Sequence, residues 1–358
     1  MEVYTILFNR LISEAAKRQV SDLHLSVGSI PVVRKDGRLM QLEGEKLIEQ
    51  DVLMHVVNSF LDEREKMILN DRRELTTVKT LGGNFRFKIN IYYQKKLLAA
   101  SFRLVPSAPG NFASLNLPKI IGNFTKLING LVIVAGPYGS GKTSTIGALV
   151  ENINVSQKKR ILTLERPVEI LFVSKQSIIE QRDIGVDVKT FSEGLRYCQH
   201  EDIDVLVVSY LGENLCEALP IIFEIATSNC LVYLEMQADS IDRVLAKLLD
   251  CFPVNKSEAN RMLLADVLEA VILQKLIPKI GGEMALAAEV LTGTSAARAV
   301  IRDGRISQLQ TIMQTSVSMG MISMNQSLLR LVESGQISRD EAAAHAANKD
   351  DFSLMIKD

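Results

Sequence analysis

The eight residues GPYGSGKT at positions 136–143 constrain this chain more than any other stretch. They match the G-x-x-x-x-G-K-[ST] pattern, with Gly136 and Gly141 at the two fixed glycine positions. Such a loop turns its backbone N–H groups inward around phosphate oxygens, in conformations that glycine tolerates easily. Lys142 adds a point charge for the β- and γ-phosphates, and the Thr143 hydroxyl is the candidate ligand for Mg²⁺. Gly139, Ser140 and Ser144 complete the candidate contact set. The flanks supply the context that such a loop requires. Residues 131–135 (LVIVA) form an unbroken apolar run, as in a buried parallel strand. Residues 144–154 are predicted to form a helix with Ile146, Leu149, Val150 and Ile153 on one face.

Composition narrows the class further. The 358 residues suggest two domains at ~150 residues each, with a helical appendage. With 47% hydrophobic and 23% charged residues, the chain can bury a substantial core and stay soluble. A net charge of −1 gives no global reason to expect nucleic acid as a partner. No 18-residue uncharged apolar segment is present, and Glu2, Arg10, Glu14 and Lys17 interrupt any signal-peptide pattern. We therefore expect a cytoplasmic chain without a transmembrane segment. Cys198, Cys216, Cys230 and Cys251 are widely spaced without C-x-x-C, so neither a zinc site nor a disulfide framework is expected, and the chain reads as a reduced, cytoplasmic one. Four histidines, none in H-x-x-H spacing, leave no metal cluster in view.

The organisation is bipartite. Residues 106–118 (PSAPGNFASLNLP) hold three Pro and one Gly, as a linker should. Before it, residues 3–18 have a helical pattern and residues 21–25 alternate like a strand. Lys35-Asp36-Gly37 marks a turn, and Phe85, Phe87, Ile89 and Ile91 alternate with polar residues ahead of a second strand at 98–104. Residues 1–105 are thus predicted to form a small α+β domain. After it, apolar runs at 131–135, 161–164, 205–208, 231–234 and 285–291 recur at helix-length spacing. That is the α/β pattern of a mostly parallel sheet covered on both faces, filling residues 119–358 with amphipathic helices from about 295 onward. Ligands on such sheets bind beyond the carboxyl ends of the strands.

Read together, these segments resemble the PilT branch of the secretion ATPase superfamily, the retraction-type motor ATPases of type IV pili. The resemblance runs nearly end to end: SDLHLSVGSIPVVRKDGRL, FRFKINIYYQ, ASFRLVP, GLVIVAGPYGSGKTST, ILTLERPVE, TFSEGLR and IRDGRISQLQTIMQT follow in family order. It implies a PAS-like amino-terminal domain, a RecA-like P-loop NTPase domain and a hexameric ring. It further implies ATP and Mg as ligands, like subunits as partners, and a pilus inner-membrane platform protein as the docking site. On that account the chain would be cytoplasmic and peripheral at the inner membrane.

Three positions depart from the family pattern. A family Glu-Asp pair is Glu165-Arg166, a Walker B Gly-Glu is Ser209-Tyr210, and a His-Thr pair is Gln237-Ala238. Binding ATP needs the loop amides, the lysine and Mg²⁺, whereas hydrolysis also needs a group that positions water. A phenol, which titrates at ~10 in water, does not accept a proton at neutral pH. Losing a water-positioning group costs on the order of 10²-fold or more in rate. The expectation is an ATP-binding pilus or secretion motor subunit with impaired hydrolysis. One alternative is a fully active motor using Glu165 or Glu235 as its catalytic carboxylate. Another is a non-catalytic, nucleotide-sensing scaffold. Glu165 has the competing role of pairing with Arg166 or Lys142, and Glu235 that of pointing into a solvated sheet edge.

The resemblance also matches Arg86 and Arg103 to family arginines that reach the γ-phosphate, with Lys88 replacing a third. By pattern alone, a solvated strand face would be the competing role. Arg182 and Arg196 match family positions too, with a subunit-interface or a structural role open. Met313, Met319, Met321 and Met324 are expected to pack helices, with a docking surface as the alternative.

Overall fold

The computed structural model describes residues 2–18, 20–106, 108–253 and 257–357. The chain forms two compact units, Met1–Ala108 with Glu169–Leu171, and Pro109–Val168 with Phe172–Asp358. The division falls inside the predicted 106–118 linker, of which Ser107 lies outside the described residues. Leu117 at the far end of that stretch is buried in the core of the second unit, with Phe112 and Leu115 packed against it. No compositional signal marks residues 169–171 as belonging with the first unit.

The first unit runs α1 (Glu2–Lys17), β1 (Asp22–Ser26), β2 (Val32–Lys35), β3 (Arg38–Gln41), α2 (Gln50–Phe60), α3 (Glu63–Arg72), β4 (Glu74–Leu81), β5 (Phe85–Gln94) and β6 (Leu97–Val105). Its strands form one antiparallel sheet in the order β3-β2-β1-β6-β5-β4. Strict alternation in β5 buries Phe87, Ile89 and Ile91 against Phe8, Leu11 and Ile12 of α1 and Leu53, Val56 and Val57 of α2. This is the small α+β domain expected. The β5–β6 hairpin closes through Lys95 (φ 49°) and Lys96 (φ 66°), the left-handed pair that a two-residue turn matched to strand twist requires.

The second unit runs β7 (Gly130–Ala135), α4 (Lys142–Ser156), β8 (Arg160–Glu165), β9 (Ile178–Asp183), α5 (Phe191–Gln199), β10 (Val205–Val208), α6 (Leu215–Thr227), β11 (Leu231–Met236) and α7 (Ile241–Asp250). It continues with α8 (Ser257–Val267), β12 (Leu268–Pro278), β13 (Met284–Thr292), α9 (Ser295–Arg302), α10 (Leu309–Thr315), α11 (Met324–Glu333), α12 (Arg339–His345) and α13 (Lys349–Lys357). The sheet order is β13-β12-β7-β11-β10-β8-β9. Six strands are parallel and β13 runs antiparallel to β12. One apolar core lies on each face, which is why the central strands lack alternation.

The expected run at 285–291 is therefore an antiparallel edge strand rather than one more parallel one. A five-residue connection from Pro278 to Met284 cannot make the crossover that parallel pairing needs. β12 and β9 escaped the sequence reading, because Glu269, Gln274 and Lys275 break up the first and the second is polar throughout its carboxyl half.

Two further expectations are corrected. Cys216 and Cys251 form a disulfide, although 35 residues separate them. The start of α6 and the carboxyl end of α7 bring their Cα atoms to 4.7 Å, a proximity that spacing along the chain does not encode. Met313, Met321 and Met324 are buried as expected, but Met319 is 60% exposed and packs no helix core. Among the described residues, no helix is long and apolar enough to cross a membrane.

Candidate functional site

The parallel register brings the ends of four strands to one edge of the sheet. Leu164 is level with Val208, Val208 with Leu234, and Met236 with Ala135. The residues that follow, Gly136, Arg166, Ser209 and Gln237, therefore emerge at the same end, where ligands bind in this architecture. β7 is rigid support, since all of residues 131–135 are fully buried. Each such Val, Leu or Ile contributes about 1.5–3 kcal/mol of burial.

From this support the loop at 136–143 leaves the sheet and turns into α4. A Cβ on Gly136 would lie 2.3 Å from Ser140 Oγ and 2.5 Å from the carbonyl oxygen of Gln274, so only glycine fits. Gly141 caps α4 with a φ of 86°, a left-handed conformation that glycine adopts without strain. The Ser140 amide donates to the Pro137 carbonyl at 3.3 Å, which folds the loop back on itself. Ser140 Oγ is buried with no hydrogen-bond partner. Thr143 and Ser144 sit half-buried in the first turn of α4. The first N–H groups of a helix have no partner within it, and its dipole favours an anion there.

Lys142 is 8% exposed, and its ammonium donates to the Pro137 carbonyl at 2.9 Å. The same Nζ lies 3.8 Å from Glu235 Oε1. Glu235 does not point into a solvated edge. It belongs to β11, which is paired on both sides, to β7 and to β10, and its side chain is 15% exposed.

Glu165 closes β8 and is 9% exposed. It accepts from Thr163 Oγ1 at 2.7 Å and from Gln181 Nε2 at 3.2 Å. Arg166 is exposed, begins a cis Arg166–Pro167 peptide, and donates its amide to Ser209 Oγ at 3.2 Å. Tyr210 is 49% exposed beyond β10. Gln237 lends its carbonyl to Lys247 Nζ at 2.7 Å, and Ala238 is buried. Asp204, at the opposite end of β10, accepts from Lys159 Nζ at 2.7 Å and from the Arg160 amide at 2.8 Å. Burial pushes its carboxyl up, but these donors outweigh that and hold it below the usual range, as suits a structural strand cap.

The arginines matched by resemblance belong to the first unit. Register aligns Asp22, Arg103 and Lys88 across β1, β6 and β5. Arg103 Nε donates to Asp22 Oδ1 at 2.9 Å. Arg86 Nε donates to the Glu169 carbonyl at 2.5 Å, and Lys88 Nζ pairs with Glu169 Oε1 at 2.6 Å. Arg182 stacks its guanidinium 4.8 Å above the Tyr197 ring, a structural contact, and Arg196 is exposed on α5.

Among the described residues, no group of three or more His, Cys, Asp or Glu is placed to hold a metal. The donors at the loop, a threonine hydroxyl and one nearby carboxylate, suit a Mg²⁺ that arrives on phosphate oxygens and keeps several waters. Sequence reasoning overlooked Gln181 and Gln274; the second is a lone amide buried on β12, whereas the first is half-buried among the polar residues of β9 and gives no such signal.

A glycine loop leaving an interior strand of a mostly parallel sheet and entering a helix defines a RecA-like P-loop NTPase domain. The profile of the type II/IV secretion system protein family matches residues 2–350. The type IV pilus retraction ATPase PilT of Pseudomonas aeruginosa is 31% identical over 342 residues, 96% of this chain and 98% of that one. PilU, a type IV pilus ATPase of the same organism, is 26% identical over 98% of this chain and 91% of its own. A crystal structure of the pilus retraction motor PilT with bound ADP superposes with a TM-score of 0.83 at 31% identity, covering 97% of this chain and 99% of that one. The Legionella pneumophila ATPase DotB shares the fold with a TM-score of 0.81 at 18% identity, covering 99% of this chain and 96% of that one. The chain belongs to the type II/IV secretion system protein family, as a PilT-type member.

Proposed function

We propose that this chain is an ATP-binding motor subunit of a type IV pilus or related secretion machine, with weak or absent hydrolysis. One observation carries the binding half. Lys142 is held at a helix N-terminus inside a loop that only glycine can form, and a relative of this fold binds ADP. Phosphates would take the loop amides and Lys142 in place of the Pro137 carbonyl. Mg²⁺, where bound, would neutralise phosphate charge beside Thr143.

The hydrolysis half rests on what stands around that cradle. A phenol, Tyr210, follows β10; an exposed cation, Arg166, follows β8; and Gln237 and Ala238 follow β11. None of these is a base. By kinship with the pilus ATPases, the chain would act in a ring of like subunits, six by family resemblance, at the cytoplasmic face of an inner-membrane platform.

A second reading has its own support. Glu235 is a carboxylate beside Lys142, where a water-orienting base could act in an active motor. Fluorescent-ATP binding measured alongside steady-state phosphate release separates the two. Tight binding with negligible release supports the first. Fast Mg²⁺-dependent release abolished in Glu235→Ala supports the second. No binding at all would overturn both.

A further inference from the structure

Behind the phosphate loop, β12 carries one amide, Gln274, between Leu273 and Lys275. Gln274 is 1% exposed and follows Leu273, which is level with Ala135 at the end of β7. It meets the loop region twice. Its backbone oxygen occupies the space that a side chain on Gly136 would need, 2.5 Å from the Cβ position. Its side-chain Nε2 donates to Thr145 Oγ1 at 2.8 Å, a wholly buried bond into the first turn of α4. Thr145 is itself 1% exposed.

The other half of this carboxamide is unused. Oε1 of Gln274 is buried with no hydrogen-bond partner. A buried unsatisfied acceptor costs about 1–3 kcal/mol, and an apolar residue of the same shape avoids that cost. Stability alone therefore does not account for a glutamine here. The bond its side chain makes, to the helix that follows the glycine loop, does.

We propose that Gln274 is a positioning residue for bound nucleotide. By tying Thr145 to β12, it holds the first turn of α4 in register with the sheet. The loop amides, Lys142 and Thr143 then keep the geometry that phosphate oxygens require. This rests on the nucleotide reading above and extends it to a residue that touches no phosphate. The leverage is short, because Thr145 lies two residues beyond Thr143 on the same turn. A misplacement of about 1 Å in such a site costs on the order of 100-fold.

The test uses fluorescent-ATP titration and thermal melting of the full chain. Gln274→Met and Thr145→Val should each weaken ATP binding about tenfold, and the double variant no more than either alone. Thr145→Ser, which keeps the accepting hydroxyl, should bind as wild type does. Gln274→Met should melt close to the wild-type temperature, since loss of the unsatisfied oxygen offsets loss of the bond to Thr145. Wild-type ATP affinity in Gln274→Met overturns the proposal. So do additive losses, or an affinity loss matched by a lowered melting temperature. A wild-type chain without ATP binding, or unchanged affinity in Lys142→Ala, overturns the nucleotide reading itself.

Discussion

The Lys142 ammonium, at the first residue of α4, lies 3.8 Å from the Glu235 carboxylate of β11 and donates to the Pro137 carbonyl of its own loop. On the proposed nucleotide reading, Lys142 is already partnered by groups that phosphate oxygens would displace. Both side chains are mostly shielded from water, where a charge pair interacts more strongly than at the surface.

Lys142→Ala should abolish ATP binding, because it removes the cation seated at the helix N-terminus of the loop. Fluorescent-ATP titration checks this. Affinity within twofold of wild type would contradict the assignment of the loop.

Glu235→Gln should leave ATP binding equal or a few-fold tighter, since the carboxylate competes with phosphate for Lys142. Any slow phosphate release should be unchanged. A release rate that falls by 100-fold would instead mark Glu235 as the catalytic carboxylate.

Tyr210→Glu restores a carboxylate after β10. If the missing base limits turnover, phosphate release should rise at least about tenfold with little change in ATP affinity. No rise would show that Arg166 or Gln237 also blocks the reaction.

Glu289 on β13 is 2% exposed. Burial pushes its carboxyl up from 4.5 to about 7; hydrogen bonds from Gln310 and the Met324 amide oppose this, Asp242 adds to it and Lys275 opposes it. A carboxyl raised in the folded state keeps its full stability below 4.5 and loses it as pH rises toward 7. Glu289→Gln should therefore melt several degrees above wild type at pH 8, with the difference closing by pH 5. Equal melting at both values would rule out the strained carboxylate.

Reducing the Cys216–Cys251 bond frees a 35-residue loop, worth about 3–4 kcal/mol by closure entropy. For a unit of this size the melting temperature should fall by roughly 5–10 °C in dithiothreitol. A Cys216→Ser, Cys251→Ser double variant should melt at the reduced value and ignore the reductant. A wild-type melt unaffected by dithiothreitol would argue against the pairing.

What was legible in the sequence is what local physics dictates. Residues 136–143 announce a glycine loop because their backbone conformations exclude other residues. The runs at 131–135, 161–164, 205–208 and 231–234 announce buried strands because both faces of each are covered. The alternation through Phe87, Ile89 and Ile91 announces a one-faced sheet. Tertiary structure alone decided the rest. Strand order sets β11, not β8, beside β7, and so brings Glu235 rather than a residue nearer in sequence up to Lys142. Gln274 reaches Thr145 across 129 residues, and Cys216 meets Cys251 across 35. Such partners are set by which strands pair and which helices pack, a global minimum over the whole core, whereas sequence spacing reports only the period of a single element.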